Sequence, residues 1–590
     1  MTKKTSSKAA PVWNLCDLYP GIHSKELKHD IANTTERVKR FAKLFKGRIK
    51  ELQGDMFASA IKEYEEIQEI LGKISSYAYL LYASDLSNSE HTAFYQDISE
   101  KINEISTHIL FFTLETNKIE DEELNYKLNG SKKLQYYGPW LRDIRVMRPH
   151  QLPDDVEEVL HEKAITSNHG WSRLFDETIA NLEFVVNKKK LSSAQAFNLL
   201  SSTKYTERKS AAKAIGKTLG ENIKIFAYIT NILAKDKEID DKKRKFISPI
   251  SSRNLSNLIE DEVTEALLST VKANYSKLSH RYYKIKAKWL GRSRLDYWDR
   301  NAPIPGARNK KIPWSEAVNL VLEAYQDFSP EMAKIGKKFF DEKWIDAQVR
   351  KGKESGAFSH PTVPSVHPYI LMNYQGNIRD IMTLAHELGH GVHQVLSGKQ
   401  GVLMSDTPLT LAETASVFGE QLTFRKLLKI ENSEKQRRLM IAGKIEDMLN
   451  TVTRQVAFCE FEKRIHTARK NGEISLDNIN KTWIEVQKES LGPTIKFDDE
   501  YKYYWSYIPH FIHSPFYVYA YAFGDCLVNS LYRVYEKHPN GFVDKYINML
   551  SAGGTMRHKE LLAPFGLDAT SSHFWQDGLN VISDFIDQIW

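Results

Sequence analysis

Long stretches of this sequence, at 24–52, 55–85 and 88–125, place apolar residues three and four apart among glutamates and lysines. That spacing is the repeat of a helix with one buried face. It cannot line one face of a strand, whose side chains alternate with a period of two, so the chain is expected to be mainly α-helical. Prolines respect the pattern and gather at 147–155, 247–254, 301–314 and 359–368, which reads as loops between helical layers. Strand signals are few. The best is "PYILMNYQG" at 368–376, entered through a proline and ended by a glycine. A second, "LEFVVNKKKL" at 182–191, holds turn residues that can close a hairpin.

At 590 residues the chain is several times the length of an ordinary domain. Its organisation reads as a disordered polar tail at 1–12, an N-terminal helical domain at 13–200 and a larger domain at 201–590. A net charge of +7, from 82 basic and 75 acidic residues, is too dilute to mark a nucleic-acid surface. The basic runs at 187–191 and 240–246 read as solvated turns. Three scattered cysteines, Cys16, Cys459 and Cys526, have no CxxC spacing and argue against both a disulfide framework and a thiolate metal site. No apolar run follows the basic N-terminus, and no stretch of 18 uncharged apolar residues occurs. A cytoplasmic protein without nucleic-acid or membrane partners, favoured as a monomer, is the expectation.

One segment concentrates chemistry. "NIRDIMTLAHELGHGVHQVLSG", 377–398, can be capped by Asn377 with Asp380 at one end and closed by Gly398 at the other, giving one helix of about five turns. His386 and His390 are four apart and therefore ~40° apart around the axis, so two imidazoles can reach one ion. Glu387 stands beside them as a proton acceptor that need not be a ligand. This is the H-E-x-x-H signature of zinc peptidases. Gly389 and Gly391 cost roughly 1 kcal/mol each relative to alanine inside a helix, which points to another element packed close against them. A ligand at position 396 would extend the motif, but that residue is Leu396, and His393 reads as a hydrogen-bonded residue of the helix rather than a ligand.

The third ligand must come from elsewhere. "TPLTLAETASVFGEQLTF", 407–424, is a second helix; Glu413 lies 23 residues after His390, and Glu420 falls two turns further along the same face. Spacing leaves both open, and Thr410 with Glu413 also fits a capping box. The aromatic stretch 501–524 adds His510, His513, Tyr517, Tyr519 and Tyr521 as candidate donors to the oxyanion formed when water adds to a carbonyl.

In the order and separation of these motifs the chain resembles the oligoendopeptidase F family, within the thimet-oligopeptidase group of zinc peptidases. The resemblance rests on "VWNLCDLYP", "PYILMNYQGNIRDIMTLAHELGHGVH", "LAETAS", "RQVAFCEFE", "IPHF" with "PFYVYAYAFG", and "MLSAGGTMRHKELLAPFGLD". It implies one zinc ion per chain, held by His386, His390 and Glu413, with Glu387 as general base. It implies His510 as a transition-state contact aided by tyrosines, Tyr517 and Tyr519 ranking ahead of Tyr521. The implied fold is two helical lobes around a deep substrate channel, with a thermolysin-like zinc helix pair and a small β-sheet at the active site; 368–374 would be the sheet edge that pairs with substrate. The region 201–590 becomes the catalytic zinc-peptidase domain, and the activity an endopeptidase acting on short unstructured peptides. A zinc carboxypeptidase of similar helical build and an inactive peptide-binding protein are the rival readings.

Overall fold

The computed structural model describes residues 10–164, 166–306 and 311–589. Residues 1–9 of the expected tail lie outside this range; beyond them the Pro11 carbonyl already accepts hydrogen bonds from the Ala347 and Gln348 amides. About 70% of the chain is helical and 3% is in strands, as the three-and-four spacing requires. The first periodic stretches become the helices Lys25–Phe45, Gly54–Ser84, Ser89–Thr107 and Leu110–Lys118. Ser24 and Asn88 cap two of them by accepting from backbone amides of the first turn. The expected hairpin pairs Phe184–Val186 with Lys189–Leu191 through Asn187 and Lys188, both in the left-handed region with φ of 50° and 66°. No helix among the described residues is long and apolar enough to cross a membrane. The three cysteines are free.

The chain forms two compact units, each assembled from separated stretches. The first comprises 1–148, 309–430 and 534–566; the second comprises 149–308, 431–533 and 567–590. In the second unit, the helices Ile223–Lys243, Thr453–Arg469 and Leu476–Leu491 pack together, with the buried Trp483 against Phe458 and Phe461, and the helix Ser572–Ile589 packs on Asp261–Ala273 and Glu434–Thr451; a short parallel pair joins Leu295–Asp296 to Ile495–Lys496.

The first unit carries the chemistry-bearing helix. Its elements are α1 (Trp314–Phe328), α2 (Pro330–Asp341), α3 (Ile378–Ser397) and α4 (Thr414–Ile430), together with strands β1 (Ile345–Asp346), β2 (Phe358–His360) and β3 (Tyr369–Leu371). The strand order is β1-β3-β2, parallel on one side and antiparallel on the other. Segment 368–374 is therefore not a sheet edge. Tyr369, Ile370 and Leu371 are all fully buried, and a continuous apolar triplet suits the middle of a sheet, where both faces are covered. The edges are β1 and β2, and the Ser359 carbonyl of β2 accepts from Gln394 of α3 at 3.1 Å.

Helix α3 begins at the capping box anticipated in sequence: Asn377 Oδ1 accepts from the Asp380 amide at 3.0 Å, and Asp380 Oδ2 accepts from the Asn377 amide at 3.1 Å. Ile381, Leu384, Leu388 and Val392 form its buried stripe. The glycines explain how closely its neighbours approach. A Cβ on Gly389 would stand 2.4 Å from the Ala415 carbonyl oxygen of α4, and one on Gly391 would stand 2.6 Å from the Phe339 ring of α2. Gly419 of α4 makes the matching gap, through which Tyr325 of α1 donates to the Ala385 carbonyl at 2.7 Å. Helix propensity alone predicts that Gly389→Ala stabilises the protein by roughly 1 kcal/mol. Because the clash is with backbone, the expected outcome is instead a net loss of about 1–3 kcal/mol, read as a lower urea midpoint of the first unit's unfolding.

Candidate active site

The close approach of α3 and α4 decides which glutamate meets the histidines. A four-residue helix, Leu409–Ala412, ends just before α4, and Glu413 sits at the junction between the two. Its Oε2 lies 3.3 Å from His386 Nε2 and 3.5 Å from His390 Nε2. Ser416 Oγ donates to the same oxygen at 2.7 Å and holds it there, so the carboxylate faces the imidazoles rather than closing a capping box with Thr410.

Glu420, one helical face away, does a different job. It accepts from His386 Nδ1 at 2.6 Å. That hydrogen bond fixes a proton on Nδ1, so that once the ring is neutral its Nε2 lone pair is directed at the Glu413 side. Burial disfavours the His386 cation, but the Glu420 hydrogen bond, with the charges of Glu420, Glu413 and Glu387, outweighs it and raises the pKa to about 9. His390, under the same burial without such a partner, falls to about 4.

These three donors suit a zinc ion. Two imidazole nitrogens and one carboxylate oxygen lie within 4.8 Å of one another. A tetrahedral site with bonds of roughly 2.0–2.1 Å needs neighbouring donors roughly 3.3–3.4 Å apart, which matches the observed separations. Glu387 sits next to them, 6% exposed. Burial, helped by Glu413 and Glu420 and opposed by His386, lifts its carboxyl to about 7, while the Ser359 amide of β2 points toward it. His393 is buried, its Nε2 paired with Thr407 Oγ1 at 3.2 Å and its pKa pushed down to about 4 by burial. It is a hydrogen-bonded residue of the helix. Beyond His390 and His393 opens a cavity of about 610 Å³, lined also by Trp344, His367, Gln394 and Asp406.

The aromatic candidates belong to the second unit. His510 stacks on Tyr517, with centroids 6.0 Å apart, and its Nε2 pairs with the Tyr521 hydroxyl at 3.3 Å. Tyr519 does not join them. It is fully buried, and its hydroxyl accepts from Asn257 at 2.7 Å, so of the two tyrosines ranked first only Tyr517 lies with His510. Tyr517 stands in the turn before the helix Tyr519–Lys537 and Tyr521 lies within it, their rings 5.3 Å apart, a meeting that helical spacing alone does not give. His513 is engaged by Asp176 at 2.8 Å. Tyr517 follows Phe516, which has φ of 62°, a strained value for an aromatic residue. Glu462 Oε1 accepts the Phe516 amide at 2.8 Å and Arg253 donates to the Pro515 carbonyl at 3.2 Å, fixing that turn.

Comparison with known proteins places these features in context. The family profile "Peptidase family M3" matches residues 198–581, and that of "Oligopeptidase F" matches 115–184. Oligopeptidase PepF of Bacillus subtilis is 27% identical over 99% of this chain and 88% of its own length. An oligoendopeptidase F homolog of Borreliella burgdorferi is 29% identical, covering 94% of this chain and 93% of its own length. The oligoendopeptidase-F structure from Enterococcus faecium superposes with a TM-score of 0.72 at 22% identity, covering 96% of this chain and 98% of that one; this likeness carries the fold alone.

The hydrogen bond to Glu420 has a measurable signature in metal binding. At pH 8 the His386 proton, retained up to about 9 in the metal-free protein, must leave when an ion binds. The wild-type protein is expected to release about one proton more per zinc than Glu420→Gln at pH 8, and the two should converge near pH 10. Calorimetry in buffers of different ionisation enthalpy reads this difference. The variant should also bind zinc roughly 10- to 100-fold more weakly.

Proposed function

The chain belongs to peptidase family M3, in its oligoendopeptidase F group, and from that premise we propose that it hydrolyses internal bonds of short unstructured peptides with one zinc ion held by His386, His390 and Glu413. The observation that carries this reading is the convergence of those three donors beside a buried glutamate. When bound, zinc would supply a Lewis acid that activates water and polarises the scissile carbonyl.

The remaining steps fall to the chain's own side chains. Glu387 accepts a proton from the attacking water and passes it to the departing amine, a role open to a buried carboxylate beside the three donors. Glu420 keeps His386 oriented through both steps. By family resemblance His510 stabilises the developing oxyanion, and the ring pairs given above favour Tyr517 and Tyr521 as its partners.

Glu387→Gln is expected to retain stoichiometric zinc by atomic absorption while cleaving a quenched peptide about 100- to 10,000-fold more slowly. Comparable turnover by a zinc-loaded variant would overturn the general-base assignment. His510→Ala should lower kcat about 100- to 1000-fold. Mass spectra of products from a peptide blocked at both ends test the cleavage mode, because internal fragments are expected and a carboxypeptidase would yield none.

A further inference from the structure

We propose that Glu462 and Arg253 are positioning residues for the hydrolytic step: they hold the two ends of one peptide group, Pro515–Phe516, and so set Tyr517 beside His510. This deepens the peptidase reading and rests on Tyr517 assisting His510. Every residue involved lies in the second unit. Glu462 closes "RQVAFCEFE", 454–462, a motif that the hydrolytic steps leave without a role.

The turn before Tyr517 needs holding. The Tyr517 amide donates to the Ser514 carbonyl at 3.0 Å, which closes a four-residue turn with Pro515 second and Phe516 third. Among the hydrogen-bonded turn types, proline in second place and a positive φ in third, 62° at Phe516, leave only type II. Glycine or asparagine normally fills that third place, because a larger side chain is strained there. Type I, which a phenylalanine adopts without strain, differs from type II by a flip of the central peptide group. In this turn that group is the Pro515–Phe516 bond.

Its two ends are gripped from two different helices. Glu462, in Thr453–Arg469, accepts from the Phe516 amide at 2.8 Å. Arg253, in Ser251–Ser256, donates through Nε to the Pro515 carbonyl at 3.2 Å. A flip would turn the carbonyl toward the carboxylate and the amide toward the guanidinium, losing both bonds. Glu462 is 2% exposed, makes no ion pair among the described residues, and its Oε2 has no partner. A buried carboxyl so thinly compensated weakens the fold, and the hydrogen bond it does make goes to this amide. Two consecutive rings carry the effect to the site. Phe516 is fully buried, 5.0 Å from the His466 ring, while Tyr517 stacks on His510 at 6.0 Å and meets Tyr521 at 5.3 Å. Because φ sets where Cβ points, a flipped peptide re-aims Phe516, so either its ring leaves the core or the backbone at Tyr517 shifts. Displacing a catalytic group by about 1 Å can cost about 100-fold in rate.

The test uses full-length, zinc-loaded protein and one quenched peptide. Glu462→Met, which removes the acceptor, is expected to lower kcat about 10- to 100-fold while KM changes less than about threefold. Glu462→Gln keeps an oxygen for the amide and should restore kcat to within about threefold of wild type. Arg253→Met should lower kcat about 3- to 30-fold, with part of the loss restored in Arg253→Lys. In a Tyr517→Phe background, Glu462→Met should cost less than about threefold more, because no hydroxyl is left to position. Should Glu462→Met fail to fold, Arg253→Met carries the same cycle.

Losses that multiply in full across the cycle, unchanged kcat in both Met variants, or Glu462→Gln as slow as Glu462→Met would each overturn the proposal. If no peptide is cleaved, or Tyr517→Phe itself leaves kcat unchanged, the reading of the site fails and the positioning claim is judged separately by NMR. The ring-nitrogen resonances of labelled His510, assigned with His510→Gln, should move in Glu462→Met and Arg253→Met and stay in place in Glu462→Gln. Resonances identical in wild type and all three variants overturn the positioning role whatever the activity.

Discussion

The site depends on two helices lying closer together than side chains normally permit. At Gly389 the backbone of α4 rests on the backbone of α3, with the Ala415 carbonyl where a Cβ would be. Gly419 returns the contact from the other side, admitting the Tyr325 hydroxyl to the Ala385 carbonyl. That approach brings Glu413, at the start of α4, within 3.3 and 3.5 Å of two imidazoles on α3. The glycines are unfavourable for each helix alone and favourable only for the pair. The helix accepts these glycines because the neighbouring backbone and ring occupy the space their side chains would need.

The same contact sorts chemically identical residues into different work. Glu387, Glu413 and Glu420 are all carboxylates near His386. One is oriented by Ser416 toward both imidazoles, one is spent on His386 Nδ1, and one is left buried beside a β-strand amide with its pKa lifted toward neutrality. Environment, not residue type, gives three carboxylates three different sets of partners. The strained turn at Phe516 follows a similar logic: a buried glutamate and an arginine hold backbone in an unfavourable conformation so that the next residue, Tyr517, stacks on His510.

Legibility in the sequence varied with the range of the interaction. Helices, their caps and the pairing of His386 with His390 follow from neighbours three and four residues apart. The hairpin followed from two turn residues. The middle position of β3 did not, because an apolar run reports burial and not which strands lie on either side. The separation of Tyr519 from His510 was not legible, because Tyr517 stands in a turn and the helix begins only at Tyr519, so no single periodicity orders the three phenols.

What the sequence determined alone is the mainly helical fold, the paired histidines with their adjacent glutamate, and, through the order of its motifs, the family. All of these rest on local periodicity or on residue identity at fixed spacing. Tertiary structure decided which of Glu413 and Glu420 faces both imidazoles, and which tyrosines accompany His510. Residues 34 apart, as His386 and Glu420 are, meet only through packing, and no spacing rule reaches across a fold.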